Sequence, residues 1–314
     1  MRLYNPVLYQ GKNKKAPYFE GWYYKLTEPK SASTLAIIPG ITKGKNPHSF
    51  IQVIHGSSGK TWYNRYTVDD FSWTDKPFTI HIGPNEFARN YISLSLIEPS
   101  ISGTLYFTEL KPYPGHLLSP GIMGPFSFLP FMECYHGVIS MDHMITGNLD
   151  FDNHKINFTG GRGYIEKDWG RSFPSSWVWI QGNQFSEEGN SLLFSLARIP
   201  WIGNNFNGFI CFLLCENQLY TFNTYNKSKI SILEHTADHI TILITRKKWS
   251  LQITAKPQSL GCLQAPVEGN MNRTIKESCN AFIEYSFKRE DTLLSYDKCK
   301  SGGCEISGDT SLIF

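Results

Sequence analysis

The sequence predicts an all-β protein made of two tandem β-barrel or sandwich domains that are related by an internal repeat. Three observations lead to this fold class. Short runs rich in β-branched and aromatic residues recur along the chain, and each is bounded by Gly, Asn, Asp or Pro. Helical periodicity is weak throughout. The second half of the chain repeats the order of runs and turns found in the first half.

Each predicted strand is a run in which apolar residues alternate with polar ones or follow one another without a break. The clearest runs are Phe50–Ile54, Tyr91–Ile97, Gly103–Phe107, Leu192–Ala197, Phe209–Leu214, His239–Thr245, Ser250–Ala255 and Asn280–Phe287. They occupy both halves of a 314-residue chain, which is long enough for two domains with buried cores. An aromatic content of 14% suits strands and the walls of an apolar ligand cavity.

The repeat is clearest where residues 21–55 are compared with residues 176–214. Both contain an aromatic strand, a polar turn, an apolar strand ending in Pro39 or Pro200, a Gly/Asn loop and another strand. Two further pairs extend the parallel: residues 90–107 with 238–255, and residues 146–166 with 282–307. We therefore expect an N-terminal domain over residues 1–168, a C-terminal domain over residues 169–314, and a ligand site at their junction.

Composition and motifs exclude several function classes. The net charge of +3 is small and dispersed, so no nucleic-acid partner is expected. The chain has no GxSxG, GxxxxGK[ST] or HExxH motif and no GxGxxG entering a helix, so these catalytic templates are absent and no nucleotide cofactor is expected. Seven cysteines without a CxxC pair predict free thiols, and the N-terminus lacks a secretory apolar core. These features favour a cytoplasmic protein.

The densest group of polar and aromatic residues lies at the expected domain junction, in GGRGYIEKDWGRSFPSSWVWIQGN at residues 160–183. On a strand, Tyr164, Glu166 and Asp168 share one face and Lys167 points to the other. A carboxyl group beside apolar surface keeps its proton to higher pH and can act as a general acid. A salt bridge or a turn cap explains either carboxylate equally well.

The same alternation places Trp177, Trp179, Gln181 and Asn183 on one face of the next strand. Two indoles followed by two amides suit a cavity for a ligand that is mostly apolar with one polar end. The alternative is an aromatic core whose buried amides bond to neighbouring backbone.

Trp22 and Tyr24, with Glu20 on the same side, form the corresponding face of the first repeat. Upstream of the junction, His136 and His143 are candidate proton donors or partners of a hydroxyl group. Their spacing, with no further His or Cys nearby, is poor for zinc, so no metal is expected. A structural histidine is the alternative for each.

Three blocks of this sequence resemble the tocopherol cyclase family: FEGWYYK at residues 19–25, HGVISMDH at residues 136–143 and GYIEKDWGRSFPSSWVWIQGN at residues 163–183. They occur in order and involve both halves of the chain. The same pattern is more distantly similar to carotenoid 1,2-hydratases, AttH-like proteins and two-barrel fungal Diels-Alderases. The resemblance implies a pair of lipocalin-like β-barrels, in agreement with the repeat.

The resemblance also implies a cofactor-independent cyclase. In that family an acid protonates the alkene of a prenylated hydroquinone, and the phenol oxygen attacks the cation to close a chromanol ring. The hydratase relatives use a Tyr-x-Asp-x-Asn-x-Gly segment and an upstream His. Tyr164, Glu166, Asp168 and Gly170 occupy the matching positions here, with His136 as the upstream candidate. Because Glu replaces Asp and Asp replaces Asn, the identity of the proton donor stays open.

A hydrophobic small-molecule substrate follows from this resemblance, and electron-rich indoles favour a carbocation intermediate. The candidate substrate-binding residues are Glu20, Trp22, Tyr24, His143, Phe173, Trp177, Trp179, Gln181 and Asn183. A non-catalytic lipocalin-like carrier of an isoprenoid or another hydrophobic ligand is the first alternative. A hydratase or pericyclase acting on a polyene is the second.

One apolar segment, HLLSPGIMGPFSFLPFM at residues 116–132, is interrupted by prolines and glycines and cannot form a regular helix. It is either an ordinary connection packed over the first domain or a loop that contacts a membrane interface peripherally. Both interpretations remain open from the sequence.

Overall fold

The computed structural model describes residues 2–30, 33–201 and 203–314. In this part of the chain the regular structure consists of β-strands and short 3-10 helices, with no α-helix. The 3-10 helices are Arg2–Tyr4, Gly11–Asn13, Gly124–Phe128, Thr224–Asn226 and Thr310–Leu312. Within the same residues no helix is long and apolar enough to cross a membrane. The all-β prediction is confirmed.

Twelve strands form the first sheet. They are β1 (Tyr18–Thr27), β2 (Thr34–Lys43), β3 (His48–His55), β4 (Lys60–Tyr66), β5 (Phe71–Asp75), β6 (Phe78–Ile82), β7 (Asn85–Ala88), β8 (Tyr91–Leu96), β9 (Ile101–Thr108), β10 (Cys134–Phe151), β11 (His154–Asn157) and β12 (Gly161–Gly170). Their order is β4-β3-β2-β1-β12-β10-β9-β8-β7-β6-β5, with β11 paired to β10.

Ten strands form the second sheet. They are β13 (Trp177–Gly182), β14 (Ser191–Trp201), β15 (Asn204–Cys215), β16 (Gln218–Asn223), β17 (Lys229–His235), β18 (Ile240–Arg246), β19 (Trp249–Lys256), β20 (Leu260–Val267), β21 (Asn270–Arg289) and β22 (Thr292–Ser307). Their order is β16-β15-β14-β13-β22-β21-β19-β18-β17, with β20 paired to β21.

The two sheets share the path of their first and last strands, as the internal repeat predicts. In each, four strands form a meander, and the last strand returns to lie beside the first, β12 beside β1 and β22 beside β13. Strands β8 and β9 correspond to β18 and β19, the pair matched by residues 90–107 and 238–255. Neither sheet closes on itself, since β4 and β5 remain edges of the first and β16 and β17 of the second. The sheets are therefore sandwich-like and not closed barrels.

The chain divides into two compact units. The first comprises Met1–His55, Lys60–Phe173 and Cys262–Ile275. The second comprises Gly56–Gly59, Pro174–Gly261 and Lys276–Phe314. The main change of unit, at Phe173, falls a few residues beyond the expected boundary at residue 168.

Each unit has its own apolar core, because alternation along the strands sends every second side chain to one face. Trp22 and Tyr24 of β1 belong to the first core, and Val178 and Ile180 of β13 belong to the second. The N-terminal segment also enters the first core, where Tyr9 is almost fully buried.

Candidate active site

Strands β10 and β12 pair so that the predicted acids and one predicted histidine lie together. Asp168 is directly opposite His136, and Glu166 is opposite Val138. Directly opposite residues in an antiparallel pair point to the same face of the sheet. Tyr164, Glu166, Asp168 and His136 therefore share one face, called here the acid face, and together they form the His136 cluster.

His136 lies between the two carboxyl groups. Its Nδ1 is 2.9 Å from Asp168 Oδ1, and its Nε2 is 3.5 Å from Glu166 Oε2. The Tyr164 hydroxyl donates a 2.6 Å hydrogen bond to the same Glu166 oxygen. The side chain of Glu166 is 6% exposed, whereas that of Asp168 is 25% exposed. The cluster is thus buried at Glu166 and open to solvent at Asp168.

The electrostatics of the cluster favour a charged histidine. Burial by itself lowers the pKa of His136, but Glu166 and Asp168 outweigh it and raise the pKa to about 9. Burial, together with the Glu166 charge, raises the pKa of Tyr164 well above its ordinary value, so its hydroxyl keeps the proton. At neutral pH the cluster holds an imidazolium beside two acids and a neutral phenol that donates to one of them.

Neighbouring groups hold His136 in position from the β9–β10 connection. The backbone N–H of His136 lies 3.0 Å from Met123 Sδ, and the Tyr135 hydroxyl donates to Leu129 O. Cys134 lies with its Sγ 3.9 Å from Asp168 Oδ1, and burial is the main cause that raises its pKa. No pattern in the sequence predicted these contacts.

The same three side chains could also hold a metal ion. His136, Glu166 and Asp168 each offer one ligand atom, and these atoms lie within 4.8 Å of one another. Among the residues that the structure describes, this is the one such group. One imidazole with two carboxylates is a ligand set that suits several divalent ions.

On the other side of β12, called here the core face, Lys167 forms a buried ion pair. Its Nζ lies 2.7 Å from Glu20 Oε1 and donates another 2.7 Å hydrogen bond to Leu8 O. Glu20 also accepts from the backbone N–H groups of Gln10 and Gly11, each at 2.9 Å. Burial lowers the pKa of Lys167 to about 8, and Glu20 opposes that change. We call Glu20 and Lys167 the core ion pair.

Trp22, Tyr24 and Glu20 do not share the acid face, which corrects the expectation that they line a pocket with the acids. The register pairs Trp22 with Lys167 and Tyr24 with Ile165, so these side chains enter the first core. The Trp22 indole donates to Val7 O at 2.9 Å, and the Tyr24 hydroxyl donates to Ala88 O at 3.0 Å. Alternation identified their common face but could not show which way it points.

His143 is also a core residue and not part of the His136 cluster. It pairs with Gly163, packs 4.5 Å from the Phe107 ring centroid, and its Nδ1 lies 3.1 Å from Ser140 Oγ. Burial lowers its pKa to about 3, so it is neutral. Of the two predicted histidines, the structure brings only His136 to the acids.

In the second unit, Trp177, Trp179 and Gln181 occupy the face of β13 opposite Val178 and Ile180, as alternation predicts. They are buried at 5%, 6% and 0% exposure. Gln181 Nε2 donates to Asn183 Oδ1 at 3.3 Å. Phe173 falls in the first unit, where its ring packs against Phe19 with centroids 5.4 Å apart.

Sequence reasoning missed two acids on this face of the second unit. Trp177 Nε1 donates a 2.6 Å hydrogen bond to Glu305, which lies directly opposite Glu277 on β21. Cys279 Sγ is 3.0 Å from the Glu277 carboxylate. The internal repeat could have indicated Glu305, because Glu305 lies on β22, which corresponds to the acid-bearing strand β12.

The proline-rich segment at residues 116–132 exposes four of its apolar side chains. Leu117 and Leu118 are 80% and 78% exposed, and Phe128 and Phe131 are 45% and 55% exposed. The segment contains one 3-10 helix, Gly124–Phe128, and no regular α-helix, as its prolines predict.

Comparison with known proteins places these features in a family. The model of the family described as tocopherol cyclase-like matches residues 113–308. A probable chloroplastic tocopherol cyclase of Oryza sativa subsp. japonica is 30% identical over 236 residues, covering 58% of this chain and 50% of that protein. The chloroplastic tocopherol cyclase of Zea mays is 36% identical over 56 residues, covering 18% and 12%. The chain thus spans half the length of the Oryza protein.

Solved structures share the fold at low sequence identity. CghA with Sch210972 has a TM-score of 0.56 at 8% identity, covering 93% of this chain and 89% of that one. Kievitone hydratase from Nectria haematococca has a TM-score of 0.52 at 10% identity, covering 97% and 94%. A putative AttH from Nitrosomonas europaea has a TM-score of 0.51 at 13% identity, covering 96% and 98%. These likenesses establish the two-sheet lipocalin-like fold.

Proposed function

The chain belongs to the tocopherol cyclase-like family, and from that premise we propose that it cyclises a prenylated hydroquinone by acid catalysis. A proton adds to the alkene carbon nearer the ring and leaves a tertiary cation on the other alkene carbon. The neighbouring phenol oxygen then forms the C–O bond and loses its proton. Substrate and product are isomers, so the catalyst must give one proton and recover one in each turnover.

The observation that carries this proposal is the His136 cluster, in which a charged imidazole lies between two carboxyl groups on a buried face. With His136 charged and both acids ionised, the cluster has an excess negative charge, which favours uptake of one more proton. We assign that proton to Glu166, because Asp168 is hydrogen-bonded to the imidazole and is the more exposed acid. A protonated carboxyl group shielded from water can serve as the general acid that protonates the alkene.

The remaining members of the cluster return the proton. The released phenol proton passes to Asp168, and the charged His136 gives its Nε2 proton to Glu166 and becomes neutral. The proton held by Asp168 then recharges the imidazole. The 2.9 Å and 3.5 Å separations put both transfers within reach of small side-chain movements. Tyr164 orients Glu166 through its 2.6 Å hydrogen bond.

We also propose that residues 116–132 meet a lipid surface from which such a substrate is collected. Leu117 and Leu118 are exposed at 80% and 78%, while Met123 of the same segment contacts the His136 backbone. The segment thus links a solvent-facing apolar surface to the His136 cluster. Flotation with phosphatidylcholine vesicles should be reduced by Leu117→Ser with Leu118→Ser, and unchanged flotation would contradict this part of the proposal.

The reaction itself is tested by incubating the protein with prenylated hydroquinones of different tail lengths and analysing the products by mass and retention time. A product of unchanged mass and new retention time supports cyclisation. Addition of water would instead identify a hydratase, and binding without turnover of any member of the panel would identify a carrier. A cyclised product that persists in both Glu166→Gln and Asp168→Asn would indicate a pericyclase-like mechanism.

A further inference from the structure

A polar pocket of about 280 Å³ lies in the first unit, built from residues other than those of the His136 cluster. The turn between β2 and β3, the strand β4 and the start of β21 contribute to it. The lining side chains used below are those of Lys45, Asn46, His48, Arg65, Asn270 and Asn272.

Two turns in close contact fix the shape of this pocket. The backbone N–H of Lys45 donates a 2.7 Å hydrogen bond to Asn270 Oδ1. A Cβ at Gly44 would lie 2.2 Å from Gly269 O, so the close approach of the turns requires glycine there. Arg65 is fixed on the adjacent strand by a 2.6 Å hydrogen bond from Nη2 to Asn46 Oδ1. The pocket is therefore formed before any ligand arrives.

The pocket carries positive charge that the protein itself does not neutralise. Neither Lys45 nor Arg65 forms an ion pair with any residue in the described ranges, and no lining residue is acidic. Glu268, two positions before Asn270, is bound to Arg171 at 2.6 Å. Two cations that line one concave surface without a carboxylate are typical of an anion site.

The donors around the pocket are those that recognise phosphate. Arg65 keeps guanidinium N–H groups beyond the one bound to Asn46, and Lys45 supplies an ammonium group. His48 does not compete for a ligand, because its ring nitrogens lie 2.7 Å from Asn46 O and 2.6 Å from the Tyr63 hydroxyl. The Asn272 amide adds an uncharged donor at the rim.

We propose that this pocket binds the phosphate group of an anionic ligand. The pocket has room for more than a bare phosphate ion, so both a soluble phosphate monoester and a phospholipid headgroup fit it. The site is independent of the proposed cyclase chemistry, because it shares no residue with the His136 cluster.

Calorimetric titration of the whole chain with inorganic phosphate and with glycerol 3-phosphate tests the proposal. We expect saturable binding with a Kd on the order of millimolar, weakened about tenfold or more in Lys45→Ala with Arg65→Ala. The matched control is Arg89→Ala with Lys155→Ala, which removes one exposed Arg and one exposed Lys elsewhere in the first unit. Its affinity should stay within about twofold of the parent.

Sedimentation with vesicles distinguishes the two sources of phosphate. Binding to phosphatidic acid vesicles that is lost in the pocket variant, and kept in the matched control, supports a headgroup. Binding of glycerol 3-phosphate without a pocket-dependent vesicle interaction supports a soluble monoester. Equal weakening in the two double variants, or no saturable binding of either phosphate, would overturn the proposal. If the double variant does not fold, the single variant Lys45→Ala replaces it, because it keeps the Arg65–Asn46 hydrogen bond. Its affinity for phosphate should still be weaker than that of the parent.

Discussion

The two faces of strand β12 carry similar residue types with opposite arrangements. On the core face, one acid and one base form the core ion pair, and Glu20 accepts from two backbone N–H groups in addition to Lys167. On the acid face, two acids share one base, and His136 Nε2 has no hydrogen-bond partner in the described part of the chain. On the core face, every hydrogen bond to Glu20 comes from a donor held in place. On the acid face, a proton can move between His136 and the two acids.

This difference shows that the residue type alone does not decide whether a buried acid serves the fold or catalysis. The role depends on the ratio of acids to bases around it and on whether its hydrogen bonds are all made. A carboxylate fully bound by fixed donors is stabilised as an anion and serves the fold. A buried group with two acids for one base must distribute a proton among its members. The following changes test whether the two faces differ in this way.

The largest expected effect is the loss of turnover in Glu166→Gln. The amide keeps the shape of the side chain and can accept from Tyr164, but it cannot donate an acidic proton. We expect turnover of a prenylated hydroquinone to fall by about 10²–10⁴-fold, measured by product formation. Ligand affinity, followed by Trp fluorescence, should remain within about threefold.

Glu20→Gln on the core face is the matched control for this change. It should leave the specific activity of the folded protein nearly unchanged, because Glu20 lies on the face opposite the His136 cluster. Equal loss of turnover in both variants would contradict the distinction between the faces.

The next effect concerns stability. Lys167→Met leaves Glu20 buried without its cation and should lower the free energy of unfolding by about 3–5 kcal/mol, measured by urea denaturation. Combining Lys167→Met with Glu20→Gln should restore part of the loss, since no unpaired charge is then buried. A single variant as stable as the parent would show that the core ion pair does not hold this region together.

The two bases should give opposite slopes of stability against pH. The pKa of folded His136 is raised from 6.5 to about 9, so its contribution is complete below pH 6.5 and is lost as pH rises through 9. The pKa of folded Lys167 is lowered from 10.5 to about 8, so stability is gained between pH 8 and 10.5. His136→Gln should abolish the fall in stability between pH 6.5 and 9, and Lys167→Met should abolish the rise between pH 8 and 10.5. Urea midpoints measured at each pH report both changes. Parallel curves for parent and variants would contradict both assignments.

The smallest expected effect compares two glycines. A Cβ at Gly163 would lie 2.1 Å from His143 Nε2 on the core face, whereas one at Gly21, opposite Asp168, would lie 3.8 Å from Pro39 O. Gly163→Ala should cost about 1–3 kcal/mol by overpacking, and Gly21→Ala about 0.5 kcal/mol or less. Thermal unfolding of both proteins measures the difference. A greater loss in Gly21→Ala would mean that the acid face is the more tightly packed.

Much of the fold could be predicted from the sequence because the positions of strands and the alternation of their side chains depend on local sequence. Alternation identified the strands, and the repeated order of runs identified two sheets that share the path of their first and last strands. Alternation also separated Trp177 and Trp179 from Val178 and Ile180 correctly. The common face of Tyr164, Glu166 and Asp168 followed from the same period of two.

Which face of a strand is buried, and which distant residues pair, depends on contacts between segments far apart in the chain. The alternation of residues along one strand does not reveal these contacts. Which face of β1 points to the core is decided by the whole sheet, so alternation groups Trp22 with Tyr24 but does not show that both enter the first core. The partner of Lys167 is Glu20, 147 positions away along the chain, and no short motif signals such a pair. His143 lies in the same sequence block as His136, but it pairs with Gly163 and its side chain points into the core.

The most direct test of the central claim is cyclisation in D₂O. If Glu166 protonates the alkene, its exchangeable deuteron must appear in the product, one per molecule, on the ring carbon next to the carbon that bonds the oxygen. Mass spectrometry and NMR of the product should find that single carbon-bound deuterium, and Glu166→Gln should form almost none of this product. A cyclised product without deuterium on carbon would contradict the account.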